Sequence, residues 1–301
     1  MIPMIDAADL TAGDKTAVSD LRVAATQTGF AVVRNTALSA ERVNEVIDTY
    51  RAFFRLPAEE KARIDMARTG ANRGWGAPGS EQVDASANPD YKQFFDSGFD
   101  LPFDDPRAGL AVYAPSRWPQ APDGFREVIQ RYYTDACGVA MGVLRGLAQA
   151  IDAPRDYFDG AFDVPMALLR GNYYPERPAW ATEKDFGIAT HTDYGCLTLL
   201  ATDGSPGLEV RRRGGGWLPV SAAPGAFIIN FGDMMETWSN GVVRATPHRV
   251  VGGDHERISV PLFFNPSSDT NVAPIGSGEV LLAGDHLQAR FAETYVHLQK
   301  K

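Results

Sequence analysis

Two residues of complementary chemistry, His191 and Asp193, stand two positions apart in a segment that is bounded by glycines and rich in β-branched residues. If this segment is an extended strand, both side chains leave the same face. An imidazole and a carboxylate are two of the three protein ligands in a two-histidine, one-carboxylate iron site, which leaves half of the coordination sphere open. The pattern predicts a second histidine on another strand.

His248 is the histidine best placed to be this third ligand. It lies in the β-rich run 242–251, which is broken only by a proline that suits a bulge or a strand start. Two alternatives stand beside this interpretation: a short His-x-Asp pattern arises by chance, and a histidine in a strand is often a hydrogen-bonded structural residue. Further chemistry nearby must decide between them.

Arg257 and Ser259 supply that chemistry, nine and eleven residues past His248. On a strand they share one face, and Ile258 points the other way. A guanidinium can make two charge-assisted hydrogen bonds to a carboxylate, and a hydroxyl adds another. Because an arginine directed into an apolar barrel without an anion would be costly, the pattern predicts a ligand carboxylate beside the metal.

The order His-Thr-Asp, a distant His, and Arg-Ile-Ser resembles that of the Fe(II)- and 2-oxoglutarate-dependent dioxygenases, in the branch similar to isopenicillin N synthase and to plant flavonoid and gibberellin oxidases. The resemblance covers nearly the whole chain. It is carried further by the stretches Ile2-Pro3-Met4-Ile5-Asp6, Thr28-Gly29-Phe30-Ala31-Val32-Val33 and Arg170-Gly171-Asn172-Tyr173-Tyr174-Pro175.

The resemblance implies a set of ligands and a reaction. It implies that Fe(II) is held by His191, Asp193 and His248, that 2-oxoglutarate takes two open positions on the metal, and that O2 takes the last. Oxidative decarboxylation to succinate and CO2 then drives oxidation of a small organic substrate. The residues that it assigns to 2-oxoglutarate are Arg257 and Ser259 at the distal carboxylate, and Asn172 and Tyr174 near the metal-side end.

Five residues are candidates for the substrate pocket. Phe263 matches a position that often faces substrate in the family, and Asn265 lies on the same strand face. Phe263 with Trp75 and Tyr91 would make an aromatic wall, and Arg170, two before Asn172, would also face the site. These residues do not choose among hydroxylation, desaturation, ring closure and ring rearrangement, since one ligand set serves them all.

Three other functions compete with this hypothesis. An oxidase of the isopenicillin N synthase type uses no 2-oxoglutarate and keeps the Arg-x-Ser pair for a substrate carboxylate, but the intact Asn172 and Tyr174 pair favours 2-oxoglutarate. A zinc hydrolase would accept the same ligands, yet it gives Arg257 and Ser259 no role. A non-catalytic binding protein with a vestigial site is disfavoured by the complete ligand set.

Composition limits the partners and the compartment. The chain has 301 residues and a formal net charge of −9, which argues against nucleic-acid binding because that relies on a basic surface. Cys137 and Cys196 are too few for a disulfide framework. No stretch reaches the roughly 18 apolar residues of a spanning helix. The sequence predicts a cytoplasmic protein without a membrane partner, and it carries no signal for oligomeric state.

The predicted fold is mixed α and β, with a distorted jelly-roll (double-stranded β-helix) core. Short β-rich runs separated by turn signals favour such a barrel or sandwich. The predicted strands are 166–174, 187–201, 208–212, 217–220, 226–231, 242–251 and 258–265.

Helices and loops are predicted to surround this core as one compact unit. Residues 1–120 form a helix and loop region that packs on the core and lids it, with an irregular segment 69–117 closing over the barrel mouth. Residues 121–301 hold the catalytic core, with a long bracing helix over 123–151. A capping pattern at Asp285 predicts a C-terminal helix. Its apolar face would comprise Leu287, Phe291, Tyr295 and Leu298.

Overall fold

The computed structural model describes residues 2–69, 72–182 and 184–294. Over these ranges the chain forms two β-sheets and a set of α-helices. The strands are β1 (Met4–Asp6), β2 (Phe30–Arg34), β3 (Gly74–Gly76), β4 (Gln93–Gly98), β5 (Leu168–Tyr174), β6 (Ile188–His191), β7 (Leu197–Thr202), β8 (Leu208–Arg211), β9 (Trp217–Pro219), β10 (Phe227–Phe231), β11 (His248–Val250) and β12 (Arg257–Phe264). The helices are α1 (Ala7–Ala12), α2 (Lys15–Val23), α3 (Ala40–Phe54), α4 (Ala58–Lys61), α5 (Met66–Thr69), α6 (Phe125–Ala150), α7 (Asp233–Trp238) and α8 (Ala283–Thr294).

The strands form a large and a small sheet that face each other. The large sheet has the order β1-β2-β10-β7-β12-β5-β4-β3, and the small sheet has the order β6-β11-β8-β9. All pairs are antiparallel except β1 with β2. Phe30 and Leu200 of the large sheet pack in one apolar cluster with Val210 and Val250 of the small sheet. The predicted jelly-roll core is confirmed.

A helical layer covers the other face of the large sheet. Because side chains alternate along β12, Ile258, Val260 and Leu262 join the cluster that holds the buried faces of α2, α3 and α6. The long helix α6 spans about 39 Å at 1.5 Å per residue, which is enough to brace the sheet as predicted. No α-helix in the described ranges is suited to crossing a membrane.

The helix boundaries follow local chemistry at Ser39 and Gly29. Ser39 caps α3, since its hydroxyl accepts a hydrogen bond from the backbone N–H of Arg42 at 3.4 Å. Gly29 has a φ of 68° and ends the π-helical turn Ala24–Thr28 that follows α2. These contacts fix where β2 begins, and β2 pairs with β10 in the large sheet.

Three element predictions differ from the structure, besides the strand over 187–201 that is described below. The segment 69–117 is not irregular throughout, because β3 and β4 extend the large sheet beyond β5. Only His248–Val250 of the run 242–251 is a strand. Helix α8 begins at Ala283, so that Asp285 lies inside its first turn. Tyr295 and Leu298 lie outside the described residues, and the domain boundary at residue 120 stays a prediction.

Candidate active site

The structure brings His191, Asp193 and His248 together in the small sheet. His191 ends β6 and is the direct cross-strand partner of His248 on β11. The Oδ1 atom of Asp193 lies 3.7 Å from Nε2 of His191 and 3.6 Å from Nε2 of His248. The three ligand atoms lie within 4.8 Å of one another. Two nitrogens and one oxygen clustered in this way can hold a single metal ion with open positions.

Asp193 reaches this cluster from a turn rather than from the strand, which corrects the prediction of a continuous strand over 187–201. Strand β6 stops at His191, and β7 starts only at Leu197. The backbone N–H groups of Asp233 and Met234, at the start of α7, donate to the carbonyl oxygens of Asp193 and Tyr194 at 2.8 and 3.3 Å. The unsatisfied N–H groups of a helix start therefore hold the turn in place.

Gly232 makes this close approach possible. A Cβ atom at position 232 would lie 2.4 Å from the carbonyl oxygen of Asp193 and 2.5 Å from that of Gly195. Both contacts are with backbone atoms that cannot move aside. Glycine is therefore required where α7 meets the turn that carries the carboxylate.

Hydrogen bonds orient all three side chains toward one point. Nδ1 of His191 donates to the carbonyl oxygen of Ala189 at 2.8 Å, and Nδ1 of His248 donates to that of Thr246 at 3.1 Å. Because a carbonyl only accepts, the proton lies on Nδ1 and each Nε2 keeps its lone pair.

The carboxylate of Asp193 is oriented by two residues that the sequence analysis missed. Asn230 Nδ2 donates to Oδ2 at 2.7 Å, and the Thr198 hydroxyl donates to the same oxygen. This leaves Oδ1 facing the histidines. Asn230 interrupts the apolar run 227–231, and that interruption is the signal that could have indicated a role.

The protonation states also suit metal binding. Burial, reinforced by the neighbouring His191, lowers the pKa of His248 to about 4, and burial lowers the pKa of His191 as well. Burial acts to raise the pKa of Asp193, but the two histidines and the hydrogen bonds from Thr198 and Asn230 outweigh it and lower the pKa. Near pH 7 the site therefore presents two neutral imidazoles and one carboxylate.

A cavity of about 450 Å³, here called the inner cavity, connects this cluster with Arg257 on the large sheet. Arg257 and Ser259 on β12 are the cross-strand partners of Tyr174 and Asn172 on β5. The four predicted residues therefore lie on adjacent strands and line one wall, and all four are buried.

Two buried polar atoms in the inner cavity have no hydrogen-bond partner among the described residues: Nη1 of Arg257 and Oδ1 of Asn172. Arg257 otherwise has a long hydrogen bond from Nε to the carbonyl oxygen of Ser205, at 3.4 Å, and lies 5.0 Å from the ring centre of Tyr174. Asn172 Nδ2 donates to the Ser259 hydroxyl at 3.4 Å. Because an unsatisfied buried polar group is costly, these atoms indicate a polar ligand.

A second cavity, here called the outer cavity, opens on the other side of the cluster and encloses about 830 Å³ including its mouth. Of the predicted pocket residues, Arg170, Phe263 and Asn265 line it. The side-chain amide of Asn265 is engaged by backbone, since it accepts from the N–H of Cys196 at 2.9 Å and donates to the carbonyl oxygen of Met166 at 3.4 Å. Asn265 is therefore a wall residue.

Trp75 and Tyr91 are absent from the described residues that line either cavity, so the structure does not support them as pocket residues. Trp75 packs in the main core and donates from Nε1 to Gln93 Oε1 at 2.9 Å. The ring of Tyr91 packs edge-on against Trp180, with ring centres 6.5 Å apart. Both rings therefore pack against residues that line neither cavity.

Charged residues that the sequence analysis missed also line the outer cavity: Arg73, Glu81 and Lys92. In the sequence, residues 90–96 mix three charged side chains with three aromatic ones. That pattern was a signal for a buried charged cluster, because charged side chains among aromatic ones are buried only when they are paired.

Comparison with known proteins connects this geometry to a family. A family model described as the 2OG-Fe(II) oxygenase superfamily matches residues 165–266, and one described as the N-terminal part of a non-haem dioxygenase in morphine synthesis matches residues 2–121. A 2-oxoglutarate-Fe(II) type oxidoreductase of Emericella nidulans is 33% identical over 260 residues, which cover 84% of this chain and 74% of the relative.

Further relatives agree. A homoarginine-6-hydroxylase of Oryza sativa subsp. japonica is 31% identical over 324 residues, with 98% of each chain covered. The crystal structure of a full-length Neurospora crassa protein in complex with alpha-KG and thymine has a TM-score of 0.85 at 27% identity, covering 97% of this chain and 96% of that one. These relatives favour 2-oxoglutarate use over the oxidase and hydrolase alternatives. The chain therefore belongs to the Fe(II)- and 2-oxoglutarate-dependent oxygenases, and it is an oxidoreductase that uses Fe(II), 2-oxoglutarate and O2 to oxidise a small organic molecule.

Proposed function

We propose that His191, Asp193 and His248 hold the Fe(II) of this oxygenase, and that Arg257 with Ser259 binds the distal carboxylate of 2-oxoglutarate. The observation that carries this proposal is the buried Nη1 atom of Arg257, which has no partner among the described residues and faces the same inner cavity as the three metal-ligand candidates. A carboxylate in the inner cavity would satisfy that atom.

The donor set fits the metal. Two neutral imidazole nitrogens and one carboxylate oxygen on one side of a point are the ligands that Fe(II) oxygenases use, and they leave positions open for other ligands. The outer hydrogen bonds to Ala189, Thr246 and Asn230 fix the ligand orientations before a metal binds. Such preorganisation raises affinity because little ordering remains to be done on binding.

The residues of the inner cavity would position 2-oxoglutarate relative to the metal. When bound, Fe(II) and 2-oxoglutarate supply the activation of O2 and the oxidation of the substrate, with release of succinate and CO2. Arg257 and Ser259 would fix one end of the co-substrate, and the aromatic ring of Tyr174 would bound its path. The amide of Asn172 can turn either its oxygen or its nitrogen to the ligand. Apolar neighbours such as Ile188 and Leu200 exclude water.

The test is anaerobic addition of Fe(II) and 2-oxoglutarate, followed by air. The proposal expects a visible charge-transfer absorption that requires both additions, and succinate formation once O2 and a substrate are present. An iron complex without that absorption would instead favour an oxidase that binds no 2-oxoglutarate. Activity with zinc alone would favour a hydrolase.

The proposed substrate is a small organic molecule that enters the outer cavity. The outer cavity has a largely apolar lining with a few convergent polar groups, as small-molecule sites do, and the relatives are described with thymine and homoarginine. The net charge of −9 supports a protein that does not bind nucleic acid, and fluorescence anisotropy with labelled duplex DNA at low salt should show no binding.

Two free cysteines, Cys137 and Cys196, are consistent with the cytoplasm as the compartment, which localisation of a tagged protein would test.

A further inference from the structure

We propose that the primary substrate is bound as an uncharged planar molecule that stacks on Phe263 in the outer cavity. The proposal rests on the function proposed above, because the outer cavity leads to the same metal cluster. Its basis is the pairing of charges at the cavity wall: among the described residues, Lys92 and Arg170 each form ion pairs with buried carboxylates.

The first half of the network is centred on Lys92. Its ammonium lies 2.7 Å from Oε2 of Glu81 and 2.8 Å from Oδ2 of Asp90, and all three side chains are buried. The attraction of Asp90 and Glu81 overcomes the effect of burial and raises the pKa of Lys92, and Glu81 has its pKa lowered to about 2 despite burial. Lys92 and Glu81 are therefore ionised and compensate each other, while burial raises the pKa of Asp90.

The second half is centred on Arg170, the cross-strand neighbour of Asp96. Nε and Nη2 of Arg170 each lie 2.7 Å from one oxygen of Asp96, and Nη1 lies 2.8 Å from Oε1 of Glu81. Burial raises the pKa of Asp96, and the neighbouring Arg170 and Arg73 act to lower it. Arg73, also buried, donates to the carbonyl oxygens of Asn72 and Val112, each at 2.9 Å. The wall thus combines three cations with three carboxylates in the described part of the chain.

The metal side of the site is balanced in the same way once it is loaded. Arg257 and Asp193 carry opposite formal charges. Fe(II) and the 2-oxoglutarate dianion also carry equal and opposite charges. A substrate therefore meets no excess charge of either sign from either side.

A charged substrate would add an uncompensated charge to a buried site. Burying a carboxylate or an ammonium without a partner is strongly unfavourable, and recruiting Lys92 or Arg170 would break an existing buried pair. A neutral carbonyl is different, because the ammonium of Lys92 has three protons and donates two of them to Glu81 and Asp90. The remaining N–H is available to an uncharged acceptor.

The shape of the wall favours a flat molecule. The guanidinium of Arg170 lies 4.0 Å from the ring centre of Phe94 on one side and 5.9 Å from that of Phe263 on the other. Phe263 is half-buried, and it lines both cavities. Its ring is backed by a fixed cation and can stack with a planar ligand. Val83, Met166 and Leu168 add apolar surface.

The test compares three flat probes that differ in charge: benzamide, benzoate and benzylamine. Each is titrated at pH 7 into the wild-type protein loaded anaerobically with Fe(II) and 2-oxoglutarate, and binding is followed by the change in visible absorption and by thermal stabilisation. Benzamide should bind at least about tenfold more tightly than both charged probes. Tighter or equal binding of benzoate or benzylamine, or no binding of benzamide, overturns the proposal.

A charge-removing variant adds an independent test. Glu81→Gln leaves the wall with one excess cation, so the ratio of benzoate to benzamide affinity should rise about tenfold or more over wild type. The control Asp159→Asn removes one negative charge from a partly exposed pair with Arg145, away from both cavities, and should leave the ratio unchanged. An unchanged ratio in a folded Glu81→Gln protein contradicts the proposal; if the variant does not fold, the wild-type probe series decides.

The two proposals fail in distinguishable ways. Absence of the absorption that requires both Fe(II) and 2-oxoglutarate would contradict the proposed function. If that absorption is present but benzoate or benzylamine is preferred over benzamide, only the inference about substrate charge is wrong.

Discussion

The inner and outer cavities meet at His191 and Asp193, but their buried polar side chains differ in how fully they are paired. In the inner cavity, Arg257 and Asn172 each keep a buried polar atom without a partner among the described residues. In the outer cavity, Arg170 and Lys92 each form ion pairs with two carboxylates. An unsatisfied buried atom indicates that the ligand carries a complementary polar group. Where the charged side chains are already paired, the substrate is selected by its shape and by uncharged contacts.

The largest effect is expected from removing one of the three metal-ligand candidates, on which the use of both cavities depends. His248→Ala should lower succinate formation at fixed Fe(II) by more than about 100-fold, since loss of even an outer hydrogen-bond partner of a metal ligand costs about 10–100-fold. Iron titration and succinate assay measure it. The exposed His255 supplies a matched control, His255→Ala, with unchanged activity expected. Wild-type iron affinity in His248→Ala would remove this histidine from the site.

A variant confined to the inner cavity should come next. Arg257→Ala should raise KM for 2-oxoglutarate by about 10–100-fold, because hydrogen bonds to charged groups are worth about 1.5–3 kcal/mol each. Binding of the benzamide probe at saturating 2-oxoglutarate should change far less. Arg213→Ala, in an exposed turn, is the control. An unchanged KM in Arg257→Ala would contradict the assignment of the anion site.

A smaller effect on Fe(II) affinity is expected at the residues that donate hydrogen bonds to the carboxylate of Asp193. Asn230→Ala removes a 2.7 Å hydrogen bond to the carboxylate of Asp193 and should weaken Fe(II) binding by about tenfold. Thr198→Val should act in the same direction. Calorimetric titration measures the affinity, and kcat should recover at saturating iron. If neither variant alters Fe(II) affinity, these bonds do not orient the ligand.

The smallest effect is expected at a residue that lines neither cavity. Trp75→Phe should change the affinity for benzamide by less than about twofold, and it should lower the free energy of unfolding by about 1 kcal/mol through loss of the hydrogen bond to Gln93. Denaturant unfolding and probe titration separate the two quantities. Phe263→Leu supplies the contrast, with weaker probe binding expected. A large loss of benzamide affinity in Trp75→Phe would indicate that Trp75 contacts the bound probe after all.

Prediction from the sequence succeeded where the signal was local. The alternation of Arg257, Ile258 and Ser259 was enough to assign their faces, and the order of motifs was enough to identify the family. The long helix α6 was predicted close to its observed bounds, because its 3.6-residue periodicity is a local signal. Each of these features depends on residues that are close in the chain.

Prediction failed where a distant partner decides the structure. Strand β4 contains the buried Asp96, which becomes reasonable only when Arg170 is known to lie opposite it, 74 positions away in the sequence. The turn at Asp193 depends likewise on the start of α7 and on Gly232. Trp75 and Tyr91 were assigned to the pocket by residue type alone, and type does not tell which way a ring points.

The two ends of the inner cavity belong to different sheets: the histidines lie on β6 and β11 of the small sheet, and Arg257 lies on β12 of the large sheet. We therefore expect the spacing between the sheets to determine which length of keto diacid is accepted. That spacing is maintained by close-packed side chains such as Phe30, Leu200 and Val250. Oxaloacetate, one carbon shorter, and 2-oxoadipate, one carbon longer, should support less turnover than 2-oxoglutarate, and Leu200→Ala should reduce this discrimination while Arg257 stays in place.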